Sequence, residues 1–573
     1  PFFERTLFQA ERRIMRIGTG SLGGKARGLV SVSESLEKRF AGEDYSLLQV
    51  DIPRMVVLST DVFTSFMDRN DLWRFAREEN DDDRVVMAFK KASLPAEIVG
   101  DIRAIAEEVK IPMAVRSSSL LEDAMYRPFA GVYATKMIPN NSPSRDERFA
   151  QITEAVKFVY ASTYFSSAKE YRRTIEGAPE DERMAVILQE VLGRRIEDRY
   201  YPVVSGVLRS HNFYPTGHAK PEEGVCSLAL GLGKTIVEGE PTWSFSPAYP
   251  KAPPPFNNMG DLMKYTQTKF WAIQMGMNTD YDPLGEDEFM TREDLSDAEF
   301  DNTLRFVAST YDVRSDRLQP GVARKGPRVL NFSPLFYVDE LGFEDLLKDL
   351  LALGEEKLGS AVEIEFAMNL DLDRGVPANL GFLQIRPMVV SHEKVKLQEG
   401  DLEGDEVLLA SEQTLGNGRF DDIHDIVYIP PGSFKPEESR EIAKELGDIN
   451  EKLTKQKRPY LLIGFGRWGT SDPWCGVPVL WGQIGGAKAI VEAALPNMDA
   501  GMSQGSHFFH NVTSFQVFYF SLPAGSRETI DWEWLGRQHE ETRTPHVRHV
   551  RCQDPIHISV DGRTGRGVIR RHG

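Results

Sequence analysis

The chain has 573 residues, a formal net charge of −18 and a pI near 5.3, so broad binding to the phosphate backbone of nucleic acid is excluded by repulsion over most of the surface. With 41% apolar and 27% charged residues it reads as a globular protein, too long for one core and sized for roughly two to four domains. No apolar run approaches the roughly 20 residues that span a bilayer, so no membrane segment is expected.

The opening Pro1-Phe-Phe-Glu-Arg-Thr lacks a signal-peptide layout, which makes a cytoplasmic location the default, and its want of an initiator Met suggests a piece of something longer. Cys226, Cys475 and Cys552 are few, odd in number and far apart, so they read as free thiols rather than a disulfide or zinc framework. Residues 1–110 alternate short β-rich runs such as Met55–Leu58 with helical spacing such as Ser65–Ala76, a mixed α/β pattern. Residues 147–171 predict a helix or helix pair, and Met184–Gln189 and Gly206–Leu208 predict strands. Tyr249–Phe256 carries three consecutive prolines and must be irregular.

The charge-dense run His392–Asp405 is the expected linker, dividing the chain into 1–391, 392–405 and 406–573. Beyond it, Glu437–Lys455 predicts a charged helix that Pro436 could open, and Tyr460–Ile463 and Gln516–Phe520 predict strands. The segment from Arg537 holds five of the eleven histidines and many arginines and reads as an exposed tail or edge. There is no internal repeat.

The chemistry is concentrated at Ile111–Asp123 and the following Phe129-Ala-Gly131. A short apolar run delivers Arg116 and three serines into a polar loop. Arginine supplies a planar, permanently charged fork that matches phosphate oxygens, and the serines add neutral donors. With Leu22-Gly-Gly-Lys25-Ala-Arg-Gly28, Gln189-Glu-Val191, Val204-Ser-Gly206, Leu230-Gly-Leu-Gly233-Lys-Thr-Ile-Val-Glu-Gly239, Glu363-Ile-Glu365-Phe and Leu383-Gln384-Ile-Arg386-Pro387 in order, the chain resembles the nucleotide-binding domain of phosphoenolpyruvate synthase and pyruvate phosphate dikinase over about residues 15–390. That resemblance implies an α/β (α+β) fold: an ATP-grasp-like region of two subdomains, followed here by a smaller α/β domain.

It also implies roles. In the related domains a lysine of the Gly-rich segment and the arginine of Val-Arg-Ser contact ATP phosphates, and Lys25 and Arg116 stand at those positions. Glu365 and Gln384 match positions for Mg²⁺ and phosphate, joined by Arg386. Strand alternation puts Glu363 with Glu365 on one face and Gln384 with Arg386 on another. Gln189 and the main chain near Val191 match the adenine hinge, and Gly231 and Gly233 a lid over the phosphates, with Lys234-Thr235 where the family often carries an acid. Dikinases relay phosphate through histidine, and Gly505-Ser-His507-Phe-Phe-His510 is a loose echo of that setting.

Two tempting patterns fail on inspection. A P-loop ending at Lys234-Thr235 needs glycine at Leu228, and one ending at Lys25 needs glycine at Thr19 and a hydroxyl at Ala26. Gly464-Phe-Gly466-Arg-Trp-Gly469 satisfies a dinucleotide pattern after a strand, but Thr470-Ser-Asp-Pro473 cannot begin the helix that the pyrophosphate needs. A glycine loop presenting Arg467 and Trp468 to a partner or substrate fits better. The residues beyond the linker are too few for the (β/α)₈ barrel of the complete synthases, which takes about 250. The sequence thus describes an ATP-dependent phosphotransferase with an unidentified small-molecule or protein acceptor. Its rival is a nucleotide-sensing module without turnover, and the quaternary state is open.

Overall fold

The computed structural model describes the chain except for residues 7–11, 41–44, 46, 120–131, 174–180, 214, 216–217, 253–258, 265, 277–281, 283, 338–340, 371–376, 389, 391–394, 471, 473, 495–511, 513–514, 524–529 and 572–573. His507, His510, Glu122, Asp123 and Phe129–Gly131 therefore lie outside the described residues, as does the Pro-rich run from 253.

Two sheets frame the amino-terminal two thirds. One has five strands in the order Ile14–Ile17, Met55–Leu58, Met184–Glu190, Met113–Ser119, Thr135–Ile138. The other has six, in the order Trp243–Phe245, Val225–Ala229, Val204–Arg209, Val362–Asn369, Ala378–Pro387, Leu48–Asp51. The central strands of both are almost wholly buried, which is why they read as continuous apolar runs rather than alternating ones. Helices Thr60–Arg69, Asp82–Lys91, Ala96–Glu108 and Arg145–Ser162 supply the core of the first sheet, where Phe63, Phe66, Phe89 and Tyr160 pack ring against ring. Helices Gly23–Phe40 and Phe343–Leu358 cover the second. The expected single helical run at 65–76 is interrupted between Arg69 and Trp73, where Asp71 takes a left-handed φ of 50°. The helix or helix pair expected at 147–171 is a pair, Arg145–Ser162 followed by Ser166–Arg173.

Residues 407–570 hold a nine-stranded mixed sheet and a two-stranded one, Arg467–Trp468 with Gly476–Val477. Gly418–Tyr428, Tyr460–Phe465, Ala487–Ala493 and Phe518–Leu522 run parallel, with the helix Ser439–Lys455 between the first two. The segment after Arg537 is an edge only in part: His539–Arg543 is an exposed strand that pairs with Arg548–Asp561 alone, whereas Arg548–Asp561 is a 14-residue strand between Gly418–Tyr428 and Arg566–Arg570. Its apolar positions Val550, Ile556, Ile558 and Val560 are buried, and His549 is fully enclosed. The stretch read as a linker is anchored where described, since Val395 and Leu397 are buried against Ala410 and Val568 and the Leu397 amide donates to Asp561 at 3.3 Å.

This sheet does not hang free of the first. Phe515 packs between Tyr171 and Trp481, at ring-centroid distances of 5.9 and 5.5 Å, so one apolar core runs from the five-stranded sheet into the nine-stranded one. All three cysteines are free thiols. Among the described residues no helix is long and apolar enough to cross a membrane.

Candidate nucleotide site

A cleft of about 360 Å³ opens between the two amino-terminal sheets. Its walls come from Met113–Ser119 and Met184–Glu190 on one side and from Val204–Arg209, Val362–Asn369 and Ala378–Pro387 on the other, roofed by the segment Leu232–Glu238.

Arg116 is the point where the two sheets meet. From its strand in the five-stranded sheet it donates to Gln189 Oε1 on the neighbouring strand (3.1 Å). It also reaches the Leu383 carbonyl (2.9 Å) and Gln384 Oε1 (2.6 Å) in the six-stranded sheet. Glu365 Oε2 lies 3.6 Å from the same guanidinium. Residues 189 and 384 are some 200 positions apart in the chain, yet one planar fork holds both.

Lys25 reaches the same cleft from the first turn of the helix Gly23–Phe40, and its ammonium lies 3.3 Å from Ser117 Oγ. What brings this helix so close is Gly23: a Cβ there would lie 1.7 Å from the Ser118 carbonyl oxygen, and φ is +76°. Ser118 completes the junction, accepting from the Ala26 amide at 3.1 Å and donating to the Leu22 carbonyl at 2.8 Å. Two of the three serines of the Val-Arg-Ser run thus fasten the lysine-bearing helix in place.

The far end of the cleft is apolar. Ala114, Val191 and Leu232 belong to one small buried cluster against which Met137 and Met290 pack. Of the hinge main chain, the Val191 amide donates to the Pro112 carbonyl at 2.9 Å and the Val191 carbonyl accepts from Tyr200 at 2.9 Å. Gln189 Nε2, in contrast, is a buried donor with no acceptor among the described residues, its Oε1 being taken by Arg116. A buried unsatisfied donor costs about 1–3 kcal/mol, so a ligand that accepts from it gains by that amount.

Glu363 and Arg386 pair directly across the strands, as do Glu365 and Gln384, so the four share one face instead of two. Only Glu365 and Gln384 line the cleft. Arg386, 1% exposed, is paired with Glu363, which Arg209 also grips at 2.5 Å. Arg386 does not line the cleft: it ties adjacent strands together beneath the site.

Gly233 lines the cleft and Gly231 does not; the Gly231 carbonyl accepts from Ser205 at 2.6 Å. The roof is docked rather than loose, because the Leu232 amide bonds to the Trp271 carbonyl at 2.9 Å and its side chain is buried. Lys234, where the family often carries an acid, is not a bare positive charge. It pairs with Asp287 at 2.7 Å and Glu238 at 3.1 Å, and although burial pulls its pKa down, these two acids hold it above the ordinary lysine value.

Sequence reasoning missed Glu286 and Asp287, which also line the cleft. Glu286 opens to the cleft, where its carboxylate accepts from the Thr135 amide at 2.8 Å. The protein packed around it raises its pKa, an effect only partly offset by Thr135, Lys234 and Lys25. An acidic triplet at 286–288 is too common on surfaces to mark a site. What makes it one is a contact across some 150 residues.

A divalent cation fits this donor set in one way. Among the described residues no group of three or more His, Cys, Asp or Glu side chains is placed to hold a metal. Glu365 and the Gln384 amide oxygen instead offer the one or two hard oxygens that Mg²⁺ takes when phosphate oxygens and waters supply the rest.

Two facing sheets, an apolar pocket at one end of the cleft and fixed cations at the other define the class: an α/β nucleotide-binding clamp. The chain belongs to the pyruvate phosphate dikinase, AMP/ATP-binding domain family, whose model matches residues 19–404. No curated protein matches the chain.

Proposed function

We propose that the protein is an ATP-dependent phosphotransferase that binds Mg·ATP in this cleft and passes phosphate to a histidine or another acceptor. The observation that carries the reading is the Arg116 fork: it joins Gln189, Gln384 and the Leu383 carbonyl and stands 3.6 Å from Glu365, in a cleft that Lys25 also lines. The base lies against Ala114, Val191 and Leu232, with Gln189 Nε2 donating to a ring nitrogen. The phosphates lie toward Lys25, Arg116 and Lys234, where fixed cations stabilise charge on the transferring oxygens without having to reorganise. Glu365 and Gln384 hold the metal, which when bound neutralises the phosphates and orients them.

The test is incubation with ATP labelled separately at the β and γ phosphates, followed by mapping of acid-labile phosphoprotein. Label on His507 supports a relay through that residue. Label on a small molecule supports a direct acceptor. Binding of Mg·ATP with no product of any kind would sink the transferase reading in favour of a nucleotide-sensing module.

A further inference from the structure

The loop Gly464–Gly469, which fails as a dinucleotide site, is built as a rigid mount for one side chain. Trp468 is 2% exposed, its amide donates to Glu492 at 2.9 Å and its indole to the Val491 carbonyl at 3.1 Å. The Gly466 amide bonds to the Ala493 carbonyl at 2.9 Å and the Arg467 amide to the Cys475 carbonyl at 2.8 Å. Gly476 packs so tightly that a Cβ there would lie 2.0 Å from the Arg467 carbonyl oxygen. Backbone and tryptophan are fixed, and the Arg467 guanidinium donates to the carbonyl of Gly239 in the amino-terminal part of the chain.

Gly239 follows directly on the segment that roofs the nucleotide cleft. Gly233, Lys234, Ile236, Val237 and Glu238 face the cleft, and the one-turn helix Lys234–Val237 ends two residues before the carbonyl that Arg467 holds. A cation is favoured at such a carboxyl-terminal end. On its flanks the roof is tied by Lys234 to Asp287 and by Glu240 to Arg292 at 2.6 Å. Both cations lie over the Trp271 ring, at 5.3 and 5.7 Å. One short segment therefore faces the cleft on one side and the carboxyl-terminal sheet on the other.

We propose that Arg467 is a positioning residue for the phosphate roof: through the Gly239 carbonyl it lets the carboxyl-terminal sheet govern how long a nucleotide stays in the cleft. The inference rests on the nucleotide reading above, so the experiment measures the roof with and without nucleotide. Hydrogen exchange of the peptide covering Leu230–Glu240 is compared in the 573-residue chain and its Arg467→Ala and Arg467→Lys variants. In the same proteins a fluorescent ATP analogue with Mg²⁺ gives Kd and the dissociation rate.

In Arg467→Ala the roof exchanges faster, Kd rises about tenfold through the dissociation rate, as expected for one charge-assisted bond, and the melting temperature without nucleotide barely moves. Arg467→Lys, which keeps the charge and a donor, recovers most of the affinity. Unchanged exchange in the roof overturns the contact. Faster exchange with unchanged Kd and dissociation rate overturns the coupling and leaves mere adhesion between sheets. Wild-type protein that binds no nucleotide, yet shows the Arg467-dependent exchange, removes the nucleotide reading and with it the coupling, while the contact itself stands.

Discussion

Replacing Arg116 with alanine perturbs two things that can be measured apart. The side chain makes three hydrogen bonds, two of them across the gap between the sheets, and is 12% exposed. Bonds from a charged donor contribute about 1.5–3 kcal/mol each. Water entering the cleft would re-satisfy some of the abandoned acceptors, so the loss of stability is about 2–4 kcal/mol rather than the sum. Binding suffers separately, because the fixed guanidinium charge beside the phosphates contributes roughly 2.7 kcal/mol, or about a hundredfold in Kd. At an ATP concentration a hundred times the wild-type Kd, nucleotide stabilises the wild type by about 2.7 kcal/mol, whereas the variant at the same concentration gains only about 0.4 kcal/mol. Denaturation with and without Mg·ATP, alongside direct titration, reads both quantities. Arg116→Lys keeps the charge but spans one partner at a time and falls between the two. A variant destabilised by alanine yet binding Mg·ATP as the wild type does would refute the assignment of Arg116 to the phosphates and leave it a staple between sheets.

Gly23→Ala forces a Cβ to within 1.7 Å of the Ser118 oxygen at φ +76°, so the helix carrying Lys25 must shift; a loss of about 3 kcal/mol or more is expected in urea unfolding, together with weaker nucleotide binding. Glu365→Gln keeps the shape of the side chain beside Arg116 and removes the carboxylate. The Mg²⁺ concentration at half-saturation should rise about tenfold while the fold is unchanged, as titration at fixed ATP will show. His546 bridges Glu445 at 2.8 Å and Glu438 at 2.6 Å. Burial pulls its pKa down, but the two acids win and raise it above 6.5. A raised histidine pKa contributes stability that is fully present below about pH 6.5 and fades as pH rises through the folded-state value. Comparison of urea midpoints should therefore find His546→Gln most destabilised near pH 6 and close to wild type at pH 9, and a deficit independent of pH would contradict the bridge.

What was legible from sequence was what short-range pattern encodes. Met55–Leu58, Met184–Glu190 and Tyr460–Phe465 are apolar runs of strand length, and each is a strand. The convergence of Lys25, Arg116, Gln189, Glu365 and Gln384 on one cleft could be anticipated because ordered segments of a family carry it. The rest depended on where neighbours fall. Gln384 and Arg386 are two apart on one strand and share a face, but the cleft ends between them, and only the packing of Glu363 and Arg209 decides that. Arg548–Asp561 was obscured because Asp554-Pro555 interrupts its apolar alternation and because its polar positions include His549 and Arg551. His549 and Arg551 are in fact held by one buried carboxylate, Asp425, at 2.8 Å each. Charge near a chain end suggests a tail; charge paired across a sheet makes a central strand.

The balance of charge in the cleft decides how the nucleotide must arrive. Lys25, Arg116 and Lys234 are its lining cations, and Glu365, Glu286 and Asp287 stand against them. Of the other two lining acids, Glu190 is matched to Arg54 at 2.7 Å, whereas Glu238 shares Lys234 with Asp287, at 3.1 and 2.7 Å. Three cations thus stand against four acids, so the phosphate end cannot by itself balance a free triphosphate of about −4, whereas a divalent ion on Glu365 removes about half of that charge at the place where it is densest. Binding itself, and not turnover alone, should depend on the metal: with a chelator present the Kd for ATP is expected to rise by at least about tenfold, and by less in Glu286→Gln, where one opposing carboxylate is gone. Equal affinity for ATP with and without Mg²⁺ would mean that these acids do not face the phosphates, and the orientation assigned to the nucleotide would have to be reversed.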